Sequence, residues 1–284
     1  MLKQKNISAL ILFSISLIIQ SQAATLAYWR FEGGAGDFSD SSGNGNDLTA
    51  GNATNYTLPG TGAGSKFYNP VPQTSAANIT AVDLNGTTGG DRFYTSDFFD
   101  NSLNFTVEGL FNAQASITRT QYIVSQYRST STGRGWAIGI ASSEGTGGAT
   151  ANELFALVSD TGSSGSIIPL GLTVSTATDY YFGFGFDNSS NTNDINFYYQ
   201  DLTSSGSLQS ISISSGITNL NNSNIDVEVG AFDADSSNFG GVIDEIRISS
   251  GVLSQSELIA IPEPASLILV ALGFASLLAL RKRK

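Results

Sequence analysis

The chain has 284 residues, a formal net charge of −11 at pH 7, 40% apolar residues, and neither cysteine nor histidine. Without cysteine there are no disulfides, and without histidine there is no Ser/His/Asp relay, imidazole base or His-ligated zinc. The acidic balance repels nucleic acid and anionic lipid head groups, and suits divalent cations and neutral partners.

In chain order, Lys3 and Lys5 precede the apolar run Ile7–Ile19, which is followed by Gln20-Ser21-Gln22-Ala23-Ala24. A charged start, an apolar stretch and small residues read as a secretory signal peptide over 1–24, cut after Ala23 or Ala24. Residues 25–260 then form one all-β domain, with no internal repeat and no second domain. Period-2 patterning predicts strands at Leu26–Phe31, Phe105–Phe111, Tyr122–Tyr127, Gly135–Ile140 and Glu153–Val158. It also predicts Tyr180–Phe186, Ile195–Tyr199, Ser207–Ile213, Asp226–Phe232 and Ile243–Ile248. Gly33–Asn46, Gly51–Asn78 and Ser142–Asn152 are polar and read as surface loops. Tyr180, Phe182, Phe184 and Phe186 share one face, with Tyr181, Gly183 and Gly185 on the other, where a further layer can approach closely. Trp29, Phe105, Phe111, Phe184, Phe197 and Ile246 are expected on inner sheet faces.

The chain ends in Ile261-Pro262-Glu263-Pro264, the apolar run Ala265–Leu280 and Arg281-Lys282-Arg283-Lys284. Sixteen apolar residues make about 24 Å of helix against a bilayer core of about 30 Å; flanking isoleucines or local thinning close the gap. Pro262 and Pro264 stop the helix upstream, and the basic tail 281–284 stays in the cytoplasm, placing the domain outside. This 261–284 segment resembles the PEP-CTERM sorting signal of Gram-negative bacteria, with Pro262, Glu263 and Pro264 as its motif. The resemblance implies an exosortase-type membrane protease as partner, an inner-membrane-anchored precursor, and a final place at the cell surface or in the extracellular matrix.

A second resemblance spans about 25–260. Tyr28-Trp29-Arg30-Phe31-Glu32 and Asp40-Ser41-Ser42-Gly43-Asn44-Gly45-Asn46-Asp47-Leu48 resemble the opening of concanavalin A-like/laminin G-like domains. Phe105–Phe111, Tyr122–Gln126, Gly135–Ile140 and Asn196–Asp201 fit successive family strands, although Leu110-Phe111 stands where the family has a Trp-containing pair. Gly240-Gly241-Val242-Ile243-Asp244-Glu245-Ile246-Arg247-Ile248 resembles the closing strand, and Leu253–Leu258 its short helical tail. The resemblance implies an all-β jelly-roll sandwich of two antiparallel sheets whose first and last strands pair. It also implies a surface protein linked to exopolysaccharide.

Calcium takes six to eight oxygens, and the Asp40–Asp47 turn is rich in them. By the resemblance one structural calcium ion sits near this turn, with Asp40 and Asp244 as side-chain ligands. The plain reading of the same residues is Asx-turns at Asp40 and Asn44, and a pairing of Asp244 or Glu245 with Arg247 or Arg30. Sugar sites combine an aromatic platform with Asp/Asn groups. Tyr127, Trp136, Tyr181, Tyr198 and Tyr199 are candidates, and Tyr181 and Tyr199 are the two kept as ligand contacts. Hydrolases of this fold show Glu-x-Asp-x-x-Glu on one strand. The nearest approaches here are Asp226-Val227-Glu228 and Asp244-Glu245, so no catalytic residue is assigned. The expectation is a non-catalytic, carbohydrate-associated binding or matrix protein. The alternative is a polysaccharide-active glycoside hydrolase of the same fold.

Overall fold

A computed structural model of the chain describes residues 23–34, 36–51, 56–57, 67–86, 92–100, 102–113, 117–130, 132–233 and 237–262. Residues 1–22 of the expected signal peptide, Glu263, Pro264, the apolar run 265–280 and the basic tail 281–284 lie outside them. Among the described residues no helix is long and apolar enough to cross a membrane.

Among the described residues, fifteen strands build two antiparallel sheets. Sheet A runs β13 (Gln209–Ile213), β12 (Ile195–Asp201), β11 (Asp179–Phe186), β6 (Phe105–Ala113), β15 (Gly240–Ser250), β4 (Val82–Asn85) and β3 (Tyr56–Thr57). β1 (Thr25–Trp29) also pairs with β15, so the first and last strands do meet. Sheet B runs β10 (Ser166–Thr173), β9 (Glu153–Val158), β8 (Arg134–Ile140), β7 (Gln121–Tyr127), β14 (Val227–Val229), β5 (Arg92–Thr95) and β2 (Thr49–Gly51). The predicted helical tail is a single 3-10 turn, Gln255–Glu257.

The main core lies between the sheets. Trp29, Phe105, Phe111, Phe184, Phe197 and Ile246 are all in it, each at most 1% exposed. Tyr180, Phe182, Phe184 and Phe186 point inward together, as their spacing predicts. Burying a phenylalanine side chain contributes roughly 1.5–3 kcal/mol relative to leaving it in water, so this one strand anchors much of sheet A.

The opposite, thin face of β11 is covered by the chain itself. Phe67, Val71 and Ala81 from one segment and Leu253, Leu258, Ile259 and Ala260 from another pack there on Tyr181, Tyr198 and Leu110. The lack of a side chain at Gly185 permits this: a Cβ there would lie 3.0 Å from Val252 Cγ1. The stretch Gly51–Asn78 is therefore not simply a surface loop. It carries β3 and the buried Phe67, Val71 and Asn78.

One irregularity positions a charged cluster. β4 pairs with β15 over Gly240–Ile243 and β1 pairs with it over Ile246–Ser249, along the same edge. Asp244 and Glu245 fall in the gap between the two ladders. The β15–β6 register shifts at that point, and Glu245 has φ +50°. A bulge of this kind inserts one residue and resets the phase, so Ile243 and Ile246, three apart, both face the core.

Candidate functional site

Asp40 and Asp244 prove chemically different. The Asp40 carboxylate accepts four hydrogen bonds: Tyr28 N–H (2.9 Å) and Ser42 N–H (2.8 Å) at Oδ1, Ser42 O–H (2.8 Å) and Asn46 N–H (3.1 Å) at Oδ2. Burial pushes its pKa up, but the Ser42 side-chain bond and the backbone donors outweigh it and hold the group below its usual range. Its lone pairs are in use, so Asp40 organises the turn and ties it to β1, as the Asx-turn reading has it.

Asp244 is fully buried, and its Oδ2 has no hydrogen-bond partner, while Oδ1 accepts the Glu245 N–H at 2.8 Å. Burial raises its pKa well above the ordinary value, and the charges of Glu245 and Glu32 raise it further, against the lowering effect of the Asn78 amide. Glu245 is also fully buried but has donors of its own: Tyr28 O–H and the Arg30 guanidinium, with Arg30 Nη2 at 2.9 Å. Burial raises the Glu245 pKa as well, but the Arg30 and Tyr28 hydrogen bonds oppose it, and Asp244 has no such charged partner. A fully buried carboxylate beside a second carboxylate and the Asn78 amide gathers the oxygen types of a hard cation's ligand set. Asp244, Glu32 and Asn78 thus fit calcium better than Asp40 does. Glu32 also accepts the Ile79 and Thr80 N–H groups at 2.8 and 3.0 Å, which steadies it. No cluster of three or more acidic side chains suited to a metal occurs among the described residues, so backbone carbonyls and water would have to complete the sphere.

Tyr181 is not a surface platform. It is 0% exposed beneath the segments that cover sheet A, with its hydroxyl donating to Glu108 Oε2 at 2.7 Å. The expectation failed because Tyr181 lies on the thin face of β11, which distant segments cover. Tyr199 is half-buried at the rim of the main core, its ring stacked on Phe197 at 5.6 Å. Trp136 is inside the sandwich, donating from Nε1 to Gln126 Oε1 at 3.2 Å.

Aromatic groups reach the outer face of sheet B instead. The Phe232 ring lies between Tyr122 (centroids 4.2 Å, 15°) and Tyr127 (4.9 Å, 26°). Phe155 meets Tyr122 edge-on at 5.6 Å. The loop that carries Phe232 is pinned by Ser125 O–H donating to the Ala231 carbonyl at 3.0 Å, and by Asp233 accepting the Ser129 N–H at 3.1 Å. Phe232 is half-buried, and Tyr122 and Tyr127 are each 6% exposed. Burial raises both phenol pKa values, so the hydroxyls stay protonated at neutral pH. Beside the stack, Glu228 holds Arg92 at 2.7 Å and Arg128 at 3.5 Å, and Arg128 also reaches Asp226 at 3.4 Å. The two acids nearest to a hydrolase motif are thus each engaged by arginine. Of these groups only Tyr127 and the Asp226–Glu228 pair stood out in the sequence; Phe232 read as the end of a strand.

The sequence profile of the PEP-CTERM protein-sorting motif matches residues 260–284. The motif implies export as a membrane-anchored precursor processed by an exosortase. No curated protein sequence matches the chain. Domain 4 of AbnA, a GH43 extracellular arabinanase from Geobacillus stearothermophilus solved in complex with arabinotriose, is similar in structure. It gives a TM-score of 0.55 at 18% identity, over 84% of this chain and 98% of that one. The receptor binding domain of botulinum neurotoxin type G gives 0.51 at 15% identity, over 84% of this chain and 50% of that one. The binding domain of botulinum neurotoxin DC, in complex with SialylT, gives 0.52 at 14%, over 82% and 50%. This chain therefore spans about half the length of the toxin domains. At these identities the likeness is one of fold: a two-sheet antiparallel sandwich.

Proposed function

We propose that this protein is an exported, non-catalytic module that binds neutral carbohydrate chains on the outer face of sheet B, at the cell surface or in the surrounding matrix. The observation that carries the reading is the Tyr122–Phe232–Tyr127 stack, a rigid aromatic group with neutral phenol tips beside a charge-paired strip. Phe232 is the half-buried member of the stack, so its edge, with the fixed polar groups beside it, is the part a sugar would meet. Arg92 and Arg128 are balanced by Glu228 and Asp226, and the chain as a whole is acidic, so a neutral glycan is favoured over a polyanion. The AbnA domain was solved with arabinotriose, a neutral oligosaccharide, which supports the class of ligand. Exopolysaccharide is the natural candidate for an exported protein of this kind.

Calcium is part of the proposal as a structural ion held by Asp244 with Glu32 and Asn78. Its charge would offset the carboxylates gathered there and lock the gap between β4 and β1. The competing reading, a glycoside hydrolase, needs two convergent carboxylates with free oxygens; the engagement of Glu228 and Asp226 by arginine weighs against it. Titration of neutral polysaccharides into the released domain tests the function. Binding without release of reducing sugar supports the module, and reducing-sugar release lost in Glu228→Gln favours the hydrolase.

A further inference from the structure

We propose that β13, the free edge of sheet A, pairs with β13 of a second copy of this chain, joining two sandwiches through one continuous antiparallel sheet. The proposal does not rest on the carbohydrate reading.

Among the described residues, β13 (Gln209–Ile213) pairs with β12 and with no other strand. Hydrogen-bonded residues alternate along an antiparallel pair, so part of its N–H and C=O groups point away from β12, into the open side. Gln209, Ser210 and Ser212 are exposed, and Ile211 and Ile213 are half-buried. Natural sheets guard such an edge with charge, proline or a bulge. The free edge of sheet B, β10, carries two of these guards: Pro169, and a register shift against β9 between Pro169 and Thr173. β13 carries none. Its pairing with β12 runs unbroken from Ile213 opposite Ile195 to Gln209 opposite Tyr199, and Gln-Ser-Ile-Ser-Ile holds neither proline nor charge.

The lack of charge extends well beyond the strand. No Asp, Glu, Lys or Arg occurs in 161–178, which contains β10, in 188–193, or in 202–225, which contains β13. The two edges lie on one side of the sandwich, since a Cβ on Gly171 of β10 would sit 3.4 Å from Ile211 Cδ1. The acids nearest to β12 and β13, Asp194 and Asp201, stand at the two ends of that pairing, and Asp194 is buried, accepting the Ser215 N–H at 2.8 Å. In a chain of net charge −11 two copies repel over most faces. At this edge they meet without opposing carboxylates. A basic partner gains nothing there and is drawn to the acidic surface elsewhere, so the charge pattern selects a second copy.

The strand is also self-complementary. A two-fold axis through Ile211 sets that residue against its own counterpart, Ser210 against Ser212 and Gln209 against Ile213, so all five residues pair. Ile211 and Ile213 lie on the inner face, where Ile213 packs at the rim of the main core; an added strand covers what they leave exposed. Ser210 and Ser212 lie on the outer face, where Ser212 donates to Asn196 Oδ1 at 3.2 Å. Facing hydroxyls there suit a cross-strand pair. A five-residue ladder buries little area, so the association is weak and concentration-dependent.

The chain has no cysteine, so single introduced thiols report proximity cleanly. Full-length Ser210→Cys and Ser212→Cys chains, mixed and oxidised, should form a disulfide-linked dimer more readily than either chain alone. Ser39→Cys, exposed in the loop leading to β2 at the opposite edge of sheet B, should stay monomeric. A second measurement is sedimentation equilibrium of the chain stopped after Ile261, which holds all fifteen strands. Ser210→Glu/Ser212→Glu and Ser210→Lys/Ser212→Lys each set like charges opposite one another. Each alone should self-associate at least about tenfold more weakly than the parent, and the two mixed should pair; thermal melts verify that both are folded. Added salt should tighten the pairing of the parent by screening the acidic chains. A parent that stays monomeric to millimolar concentration overturns the proposal. So does a double-glutamate variant that dimerises like the parent, or cross-linking of Ser39→Cys as strong as that of the mixed pair.

Discussion

Replacing Arg247 by methionine isolates its ion pair with Glu108, beneath the segment Leu253–Ala260 that covers sheet A. Arg247 is 7% exposed and Glu108 is 0% exposed. With the guanidinium gone, Glu108 keeps only the Tyr181 hydroxyl at 2.7 Å and the Ile259 N–H at 2.9 Å. An uncompensated buried charge of this kind costs about 3–5 kcal/mol. In a domain of this size 1 kcal/mol corresponds to roughly 2–4 °C, so Tm should fall by about 6–20 °C. Glu108→Gln added to Arg247→Met removes the stranded charge while leaving an acceptor for Tyr181 and Ile259. The double variant should recover to within about 1.5 kcal/mol of the parent, since a buried pair replaced as a whole is close to neutral. Urea unfolding followed by the fluorescence of the buried Trp29 and Trp136 measures both. A loss below about 1 kcal/mol for Arg247→Met, or a double variant no better than the single, would refute the buried-pair reasoning and with it the clamp on that segment.

Phe184→Ala should cost roughly 3–5 kcal/mol, because the ring is fully buried in the intersheet core; a loss near 1 kcal/mol in the same urea assay would mean that the register of β11 is off by one. Asp244 gives a pH signature. Its folded pKa is raised, so its contribution is fully present below the unfolded value of about 4 and is lost as pH rises toward the folded value. Metal-free protein should therefore lose part of its stability on going from acid toward neutral pH, and Asp244→Asn should flatten that part of the curve. Millimolar calcium should raise the Tm of the parent at neutral pH, and not that of Asp244→Asn; equal effects of calcium, magnesium and sodium at matched ionic strength would exclude a specific site. A chain stopped after Ile261 should appear free of the membrane fraction, since the apolar run 265–280 is then missing; membrane retention would point to another anchor.

The strands legible in the sequence are those with a heavy alternating face, such as β6 and β11. β4 and β5 are four residues each, too short to show a period. β10 contains Pro169, which argues against a strand until the register shift in its pairing with β9 is seen. The closing strand was legible as a motif but not in its phase, because the bulge at Asp244 and Glu245 resets the alternation. The oxygen-rich turn at Asp40 was visible. That its carboxylate would be filled by Tyr28, Ser42 and Asn46 depends on β1 lying beside it, which no local pattern encodes. Tyr181 was misplaced for the same kind of reason: what covers it comes from Phe67–Ala81 and from the end of the domain. Phe232 was hidden in an apolar run and became visible only once its loop folded over β7.

The central claim is tested most directly by titrating a neutral polysaccharide into the released domain and its Phe232→Ala variant. Phe232→Ala should weaken binding at least about tenfold, equivalent to about 1.4 kcal/mol, with thermal melts confirming that the sandwich is intact. Tyr199→Ala, away from the sheet B face, should bind like the parent. Unchanged affinity in Phe232→Ala, or loss of binding in Tyr199→Ala alone, would contradict the assignment.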